Sequence, residues 1–356
     1  MPDSVLNAWM AAFPGSAQLP FRLELAGEGI DAGLYTIAAL YDRLDPARPE
    51  TWDRTYDHAN YKWFLGPDDR PRPLALEEAI AARIHDAGIA FAIDRYLQAQ
   101  DSKVVGFMGG HNTARNDGSF RQVAVMARAL RRKGLQVVTG GGPGLMEAAN
   151  FGAFAAPFGD DAFDRALEIL RATEFADGKA PWLGAACRAR ASLLGGDWAA
   201  VPPAQSRNLG IPTWHYGNEP PNVFATAIGK YFFNSVREDG LISVASGGLV
   251  FGTGAAGTVQ EIFQNATLNY YRPKGTRPTP MVFLGAAMWN APPALPGAPA
   301  RKWSGLPAYA LVKAVANDGD FAEAVQLSDD PEAIVRFIEE ADTAQPTVAE
   351  RRLETR

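Results

Sequence analysis

The chain is poor in the residues that staple a protein or bind a metal. Its 356 residues include one cysteine, Cys187. That excludes an internal disulfide and any thiolate metal cluster, and the lone thiol is expected to behave as a small buried hydrophobe. Histidine is scarce as well. His58, His85, His111 and His215 are the four, and none has metal-ligand spacing with carboxylates or with Cys187. No catalytic metal is expected. No apolar run is long enough to span a bilayer. Met1-Pro2-Asp3-Ser4 lacks the basic stretch and apolar core of a signal peptide. The expectation is a cytoplasmic protein with no membrane partner. Positive charge is in deficit, with 34 Lys and Arg against 40 Asp and Glu and a net charge of −6. This argues against a general nucleic-acid binder, whose footprint is basic, and leaves room for a local positive pocket. Internal repeats and low-complexity tracts are absent too.

What is present is a length sufficient for a full hydrophobic core and a change of pattern near residue 100. Residues 1–100 form a mostly helical N-terminal extension, with Leu76, Ile80, Ile84, Ile89, Ile93 and Leu97 at helical spacing. Asp42 to Arg72 is rich in Pro, Asp, Trp and Tyr and is expected to be irregular. The extension is either a cap on the core or on a partner subunit, or a regulatory module. From Lys103, short apolar runs alternate with helical segments. Strands are expected at Val104–Met108, 135–139, Asn208–Trp214 and Met281–Leu284, with one or two between Leu241 and Phe251. Helices are expected at 119–133, 144–155, 223–238, 256–271, 306–315 and 331–340. Such alternation predicts an α/β fold, a parallel sheet with helices on both faces, over residues 101–342. Residues 156–206 interrupt the rhythm as a helical insertion, and 343–356 form a polar tail.

Two glycine-rich turns stand out. Thr139-Gly140-Gly141-Gly142-Pro143-Gly144-Leu145-Met146-Glu147 follows one apolar run, and Gly252-Thr253-Gly254-Ala255-Ala256-Gly257-Thr258-Val259-Gln260-Glu261 follows another. A strand that turns on glycines into a helix aims unpaired N–H groups and a helix dipole at an anion. Gly109-Gly110-His111-Asn112 and the loop after Trp214 fall at strand ends of the same kind, so four loops on one rim would make a nucleotide-sized cleft. Neither a dinucleotide fingerprint nor Gly-Lys-Ser/Thr is present, so a dehydrogenase and a P-loop ATPase are unsupported.

These segments resemble the Lonely Guy family, once misnamed lysine decarboxylases. Gly140-Gly141-Gly142-Pro143-Gly144-Leu145-Met146 is similar to its G-G-G-x-G-L-M segment, and Thr253-Gly254-Ala255-Ala256-Gly257-Thr258-Val259-Gln260-Glu261 to its P-G-G-x-G-T-x-x-E signature. Gly109-Gly110-His111 and Glu219-Pro220-Pro221-Asn222 are closer to the longer bacterial nucleotide 5′-monophosphate nucleosidases of the same superfamily. The likeness covers roughly residues 103–290. It implies a Rossmann-like sheet and a homodimer or higher oligomer. It also implies hydrolysis of the N-glycosidic bond of a purine-type nucleoside 5′-monophosphate, AMP or a cytokinin riboside monophosphate, to free base and ribose 5-phosphate. No cofactor is implied. Glu261 and Arg237 would be catalytic. Gly109, Gly110, His111, Gly141, Gly142, Gly144, Leu145, Met146, Glu147, Asn222, Gly254, Gly257 and Thr258 would hold substrate.

The residues themselves leave alternatives open. Glu261 and Glu147 could each merely complement a helix dipole, and Thr258 and Asn222 could be N-caps. The family proline is Thr253 here, and its second glycine is Ala255. The family arginine falls at Glu238 when counted without gaps, beside Arg237; an insertion would instead place Tyr231 there. His111 and Arg115 could face base or phosphate. Trp214 could stack on a base or pack as a wall, and Tyr270-Tyr271 could pack in the core or on a subunit, or stack on a base. Competing functions are a non-catalytic nucleotide sensor or carrier on the same fold and a pyridoxal-phosphate lysine decarboxylase. The second lacks a lysine on either glycine turn, Lys103, Lys133 and Lys230 all lying elsewhere.

Overall fold

Seven parallel strands form one sheet in the computed structural model, which describes residues 19–21, 33–216, 220–292, 305–317 and 319–342. Residues 1–18 of the extension, Glu219 and the tail 343–356 lie outside the described residues. The strands are β1 Val104–Met108, β2 Gln136–Thr139, β3 Leu209–Gly210, β4 Ala227–Ile228, β5 Gly248–Phe251, β6 Met281–Phe283 and β7 Val325–Leu327. Their order is β4-β3-β2-β1-β5-β6-β7. The chain grows outward from β1 through β2 to β4, then crosses back to β5 on the other side, so the order reverses between β1 and β5.

Helices precede and connect the strands. They are α1 Ile37–Leu40, α2 Tyr56–Phe64, α3 Leu76–Gln100, α4 Gly118–Arg132, α5 Leu145–Phe154, α6 Asp160–Arg171 and α7 Lys179–Leu193. After these come α8 Asn234–Val244, α9 Ala256–Tyr270, α10 Ala286–Trp289, α11 Ala308–Val315, α12 Gly319–Glu323 and α13 Pro331–Asp342. Alternate strand residues face opposite layers, as the pleat requires. Val105, Phe107, Val137, Val250 and Val282 pack with α4, α5, α6, α7 and α13. Val104, Met108, Val138, Leu249, Phe251 and Phe283 pack with the second half of α3 and with α8, α9 and α11. Both faces are therefore covered, giving a Rossmann-like α/β fold. This is why the strands read as continuous apolar runs.

The N-terminal helices share this core. Ile37, Leu40, Phe64 and Ala82 pack in one layer, and Ile89, Ile93 and Leu97 of α3 in the other. Tyr35 exchanges two 2.9 Å backbone hydrogen bonds with Ile228, which covers the outer edge of β4. Buried charges pin the same junction. Asp57 accepts from Lys230 Nζ at 2.6 Å and Trp214 Nε1 at 2.9 Å. Asp86 accepts from the amides of Phe232 and Phe233 at 3.0 and 2.9 Å.

Several expectations are corrected. Residues 223–233 are not helical: the mostly buried segment turns at Val223 and Phe224, forms β4 at Ala227–Ile228, and leads into α8 only at Asn234. Its apolar spacing fits either period, and β3 on one side with Tyr35 on the other supplies the hydrogen bonds that make it a strand. Leu241 to Val244 is the end of α8 and not a strand. Asp42 to Arg72 is more ordered than expected, with a 3₁₀ turn at Pro49–Arg54 followed by α2. The three-residue strand β7 went unanticipated. The insertion does hold two helices, α6 and α7, and both pack into the core beside α5.

Candidate active site

A cleft of about 770 Å³ opens at the carboxyl ends of β1 and β5, where the strand order reverses. The loops after β1, β2, β3 and β5 build it together with helices α8 and α9. The β1 loop contributes Gly109 to Ala114, the β5 loop contributes Thr253 to Thr258, and the β2 loop contributes Gly140 and Met146. Helix α8 contributes Arg237 and Glu238, while Glu261 enters from α9.

Glycines let the loops close on each other. Gly144 sits at φ +70° and ψ −132°, and a Cβ there would lie 2.3 Å from Gly110 O. The β1 and β2 loops touch backbone to backbone at this point, with Leu145 N donating to Gly110 O at 3.3 Å. Gly110 N in turn donates to Thr253 O at 2.8 Å, which ties the β1 loop to the β5 loop. A Cβ on Gly254 would fall 2.1 Å from Thr258 Oγ1. Thr258 thus folds down over its own turn. Leu145 fills the gap beneath, its Cδ1 close against both Gly109 and Gly252.

The two glycine turns differ in what they offer a ligand. The second is an open helix start. Ala255 supplies no side-chain cap, and Val259 N is the first amide to bond back, to Ala255 O at 3.1 Å. Gly254, Gly257 and Thr258 all line the cleft ahead of that bond, which is the arrangement that receives an anion. The first turn spends its groups internally. Gly141 N donates to Thr139 Oγ1, Asn222 N donates to Gly141 O, and Asn222 Nδ2 donates to Gly142 O. Gly141, Gly142, Gly144 and Leu145 therefore support the cleft from behind, where substrate contact was expected; Met146 reaches it.

Two more expected contacts, Glu147 and Asn222, do not line the cleft. Glu147 is fully buried and paired with Arg115, whose Nε donates to Oε2 at 2.9 Å, and Trp182 Nε1 adds a bond at 3.1 Å. Neither Glu147 nor Arg115 lines the cleft. Together they anchor the loop that carries His111 and Asn112, with Glu174 also accepting from Arg115 N and Asn116 N. Asn222 is likewise buried, bonded to Asn150 Oδ1 at 2.8 Å, and it accepts from Phe224 N and Ala225 N. It knits the β2 loop to β4. His111 does line the cleft.

On the α8 side, Arg237 lines the cleft and Tyr231 does not. Tyr231 is buried among core residues beneath α8, and burial pushes its hydroxyl pKa upward. Arg237 Nε and Nη2 donate to Asn234 Oδ1 at 3.1 and 2.8 Å, and Nη2 reaches Glu238 Oε1 at 3.3 Å. Its Nη1 lies beside Gly140. The charge is felt nearby: burial, reinforced by Arg237, lowers the pKa of His215. Helix α8 is held to α9 by Gln264 Nε2 donating to Asp239 Oδ1 at 2.6 Å, so Arg237 and Glu261 face one space from adjacent helices.

Glu238 was not anticipated as a site residue. A signal existed: Asn234, Arg237 and Glu238 stand at i, i+3 and i+4 and so share one helix face. Trp214 is a packed wall, stacked on Phe232 at 4.5 Å. Tyr270 and Tyr271 are exposed and not in the core, Tyr271 at 78%. Among the described residues no three His, Cys, Asp or Glu side chains cluster as metal ligands, and no helix is long and apolar enough to cross a membrane. No protein-family model matches the chain, and no curated protein is significantly similar to it.

Proposed function

We propose that the protein hydrolyses the N-glycosidic bond of a purine-type nucleoside 5′-monophosphate, releasing free base and ribose 5-phosphate. The observation that carries this is the meeting of Glu261, Arg237 and the uncapped start of α9 in one cleft at the strand-order reversal. The amides ahead of Val259 and the Thr258 hydroxyl would hold the phosphate. Glu261, one turn further along the same helix, would lie against the ribose. As the C1′–N bond breaks, positive charge grows on the sugar ring, and a carboxylate there stabilises it and orients the attacking water. Water oxygen bonds to C1′ and the base leaves with a proton. Arg237 would help hold the substrate from α8. The motif resemblance supports the same chemistry and implies a homodimer or higher oligomer. AMP and cytokinin riboside monophosphates are the candidate substrates, and a cytoplasmic location belongs to the same proposal.

The test is Glu261→Gln. Ribose 5-phosphate release from AMP should fall by about 10²- to 10⁴-fold, while calorimetric AMP binding stays within a few-fold of wild type. Full activity in this variant would remove Glu261 from the reaction. A second reading, a nucleotide sensor without turnover, draws on Glu238. A carboxylate 3.3 Å from the Arg237 guanidinium offsets the charge that would steady a phosphate. Incubation with AMP, GMP and CMP separates the two: binding with no free base favours the sensor.

A further inference from the structure

Glu238 is 3% exposed and lines the cleft, yet only one of its carboxylate oxygens is satisfied. Oε1 accepts from Asn234 Nδ2 at 3.0 Å and from Arg237 Nη2 at 3.3 Å. Oε2 is buried with no hydrogen-bond partner. A buried carboxylate oxygen without a donor is destabilising, because it has given up its water without replacement. Rotation gives no relief, because the other oxygen is fixed. Asn234 is itself fully committed: its Oδ1 takes both Arg237 bonds, and its Nδ2 also donates to Tyr216 Oη at 2.7 Å. The carboxylate is therefore held in one orientation on the wall that Thr213 and Met146 also line, with Oε2 left without a donor.

We propose that Glu238 is a specificity-determining residue that accepts a hydrogen bond from an O–H or N–H donor of the bound nucleotide. Resting on the nucleotide assignment above, this adds what the ligand must carry. Phosphate oxygens only accept, and the negative charge of Glu238 repels them, so this end of the cleft receives the sugar hydroxyls or the base. A donor here gains a charge-assisted bond. A ligand lacking it leaves the carboxylate unsatisfied, which is how polar pockets reject near-isosteres.

The experiment is calorimetric binding of AMP, purine riboside 5′-monophosphate, 2′-deoxy-AMP and 3′-deoxy-AMP to the full chain. One analogue, the one lacking the recognised donor, should bind about 10- to 100-fold more weakly than AMP. Loss with the purine riboside assigns the base amine; loss with a deoxy compound assigns that hydroxyl. Glu238→Gln is the matched variant. Asn234 and Arg237 both donate to the Oε1 position, so the amide oxygen settles there and the NH₂ replaces Oε2. The acceptor becomes a donor, and the discrimination should vanish or reverse. If the base amine is the recognised group, the variant should favour inosine 5′-monophosphate over AMP. Equal binding of all four compounds to wild type, or a uniform loss across them in the variant, overturns the proposal without touching the hydrolase assignment. Discrimination without base release leaves Glu238 in place and removes the hydrolase. Failure of every monophosphate to bind overturns both.

Discussion

Gly144 and Gly257 sit in the two similar turns, yet alanine should act on them in opposite ways. At Gly144 the backbone occupies φ +70°, ψ −132°, a region that costs an L-residue about 1–3 kcal/mol. Its Cβ would also meet Gly110 O at 2.3 Å and His111 C at 2.8 Å, both backbone atoms with little freedom to yield. Relief means parting the β1 and β2 loops and losing the Leu145 N to Gly110 O bond, worth about 1 kcal/mol. Gly144→Ala should therefore destabilise by about 2–4 kcal/mol. Unfolding entropy near 2.1 cal/mol/K per residue over this chain length converts that to a Tm loss of about 3–5 °C. Gly257 lies in the first turn of α9 with nothing within 4 Å of its Cβ. Gly257→Ala should hold or raise Tm by up to about 1 °C, since alanine is the better helix former. The new methyl projects into the cleft wall, so AMP affinity should fall while stability does not. Scanning calorimetry and titration of both variants test this. Wild-type Tm in Gly144→Ala would refute the loop contact, and equal destabilisation by both would refute the distinction between the turns.

Further outcomes follow from buried groups. Arg115→Met strands the fully buried Glu147 with Trp182 as its remaining donor and should cost about 3–5 kcal/mol in a denaturant melt. Arg115→Met with Glu147→Leu should recover most of that loss. Burial pushes the Cys187 thiol up to about 12, so native protein should resist a disulfide-exchange reagent at pH 8 and react fully in denaturant. His58 and His215 both have lowered pKa values, chiefly through burial. The unfolded chain then binds more protons than the native one as pH falls through about 6.5. Stability should drop between pH 7 and 5, and His215→Gln should drop less; an unchanged acid limb would count against burial of that ring.

What the chain showed in advance, and what it hid, divides along physical lines. β1, β5 and β6 are legible because both sheet faces are covered, which makes each an unbroken run of three to five apolar residues and glycine, and β2 shows Val137-Val138 just ahead of the glycine turn. β3 and β4 hold two residues each, too few to display any period, and only their neighbours make them strands. The site divides likewise. Gly254, Gly257, Thr258 and Glu261 are readable because strand, turn and first helical turn are contiguous, so sequence spacing is also spatial spacing. Glu147, the third residue of the helix after the first glycine turn, has a different fate. Its partners Arg115 and Trp182 come from the β1 loop and the insertion, 32 and 35 residues away, and they convert a helix-start carboxylate into an internal clamp. The helix dipole acts more strongly on Glu147, in the first turn of α5, than on Glu261, the sixth residue of α9, and so does not explain which of them reaches the cleft. Desolvation and partner supply decide between them, and those depend on which distant segments arrive. The same logic exposes Glu238: both donors to its satisfied oxygen, Asn234 and Arg237, come from its own helix, and the burial that leaves the other oxygen without one is set by what packs against that helix.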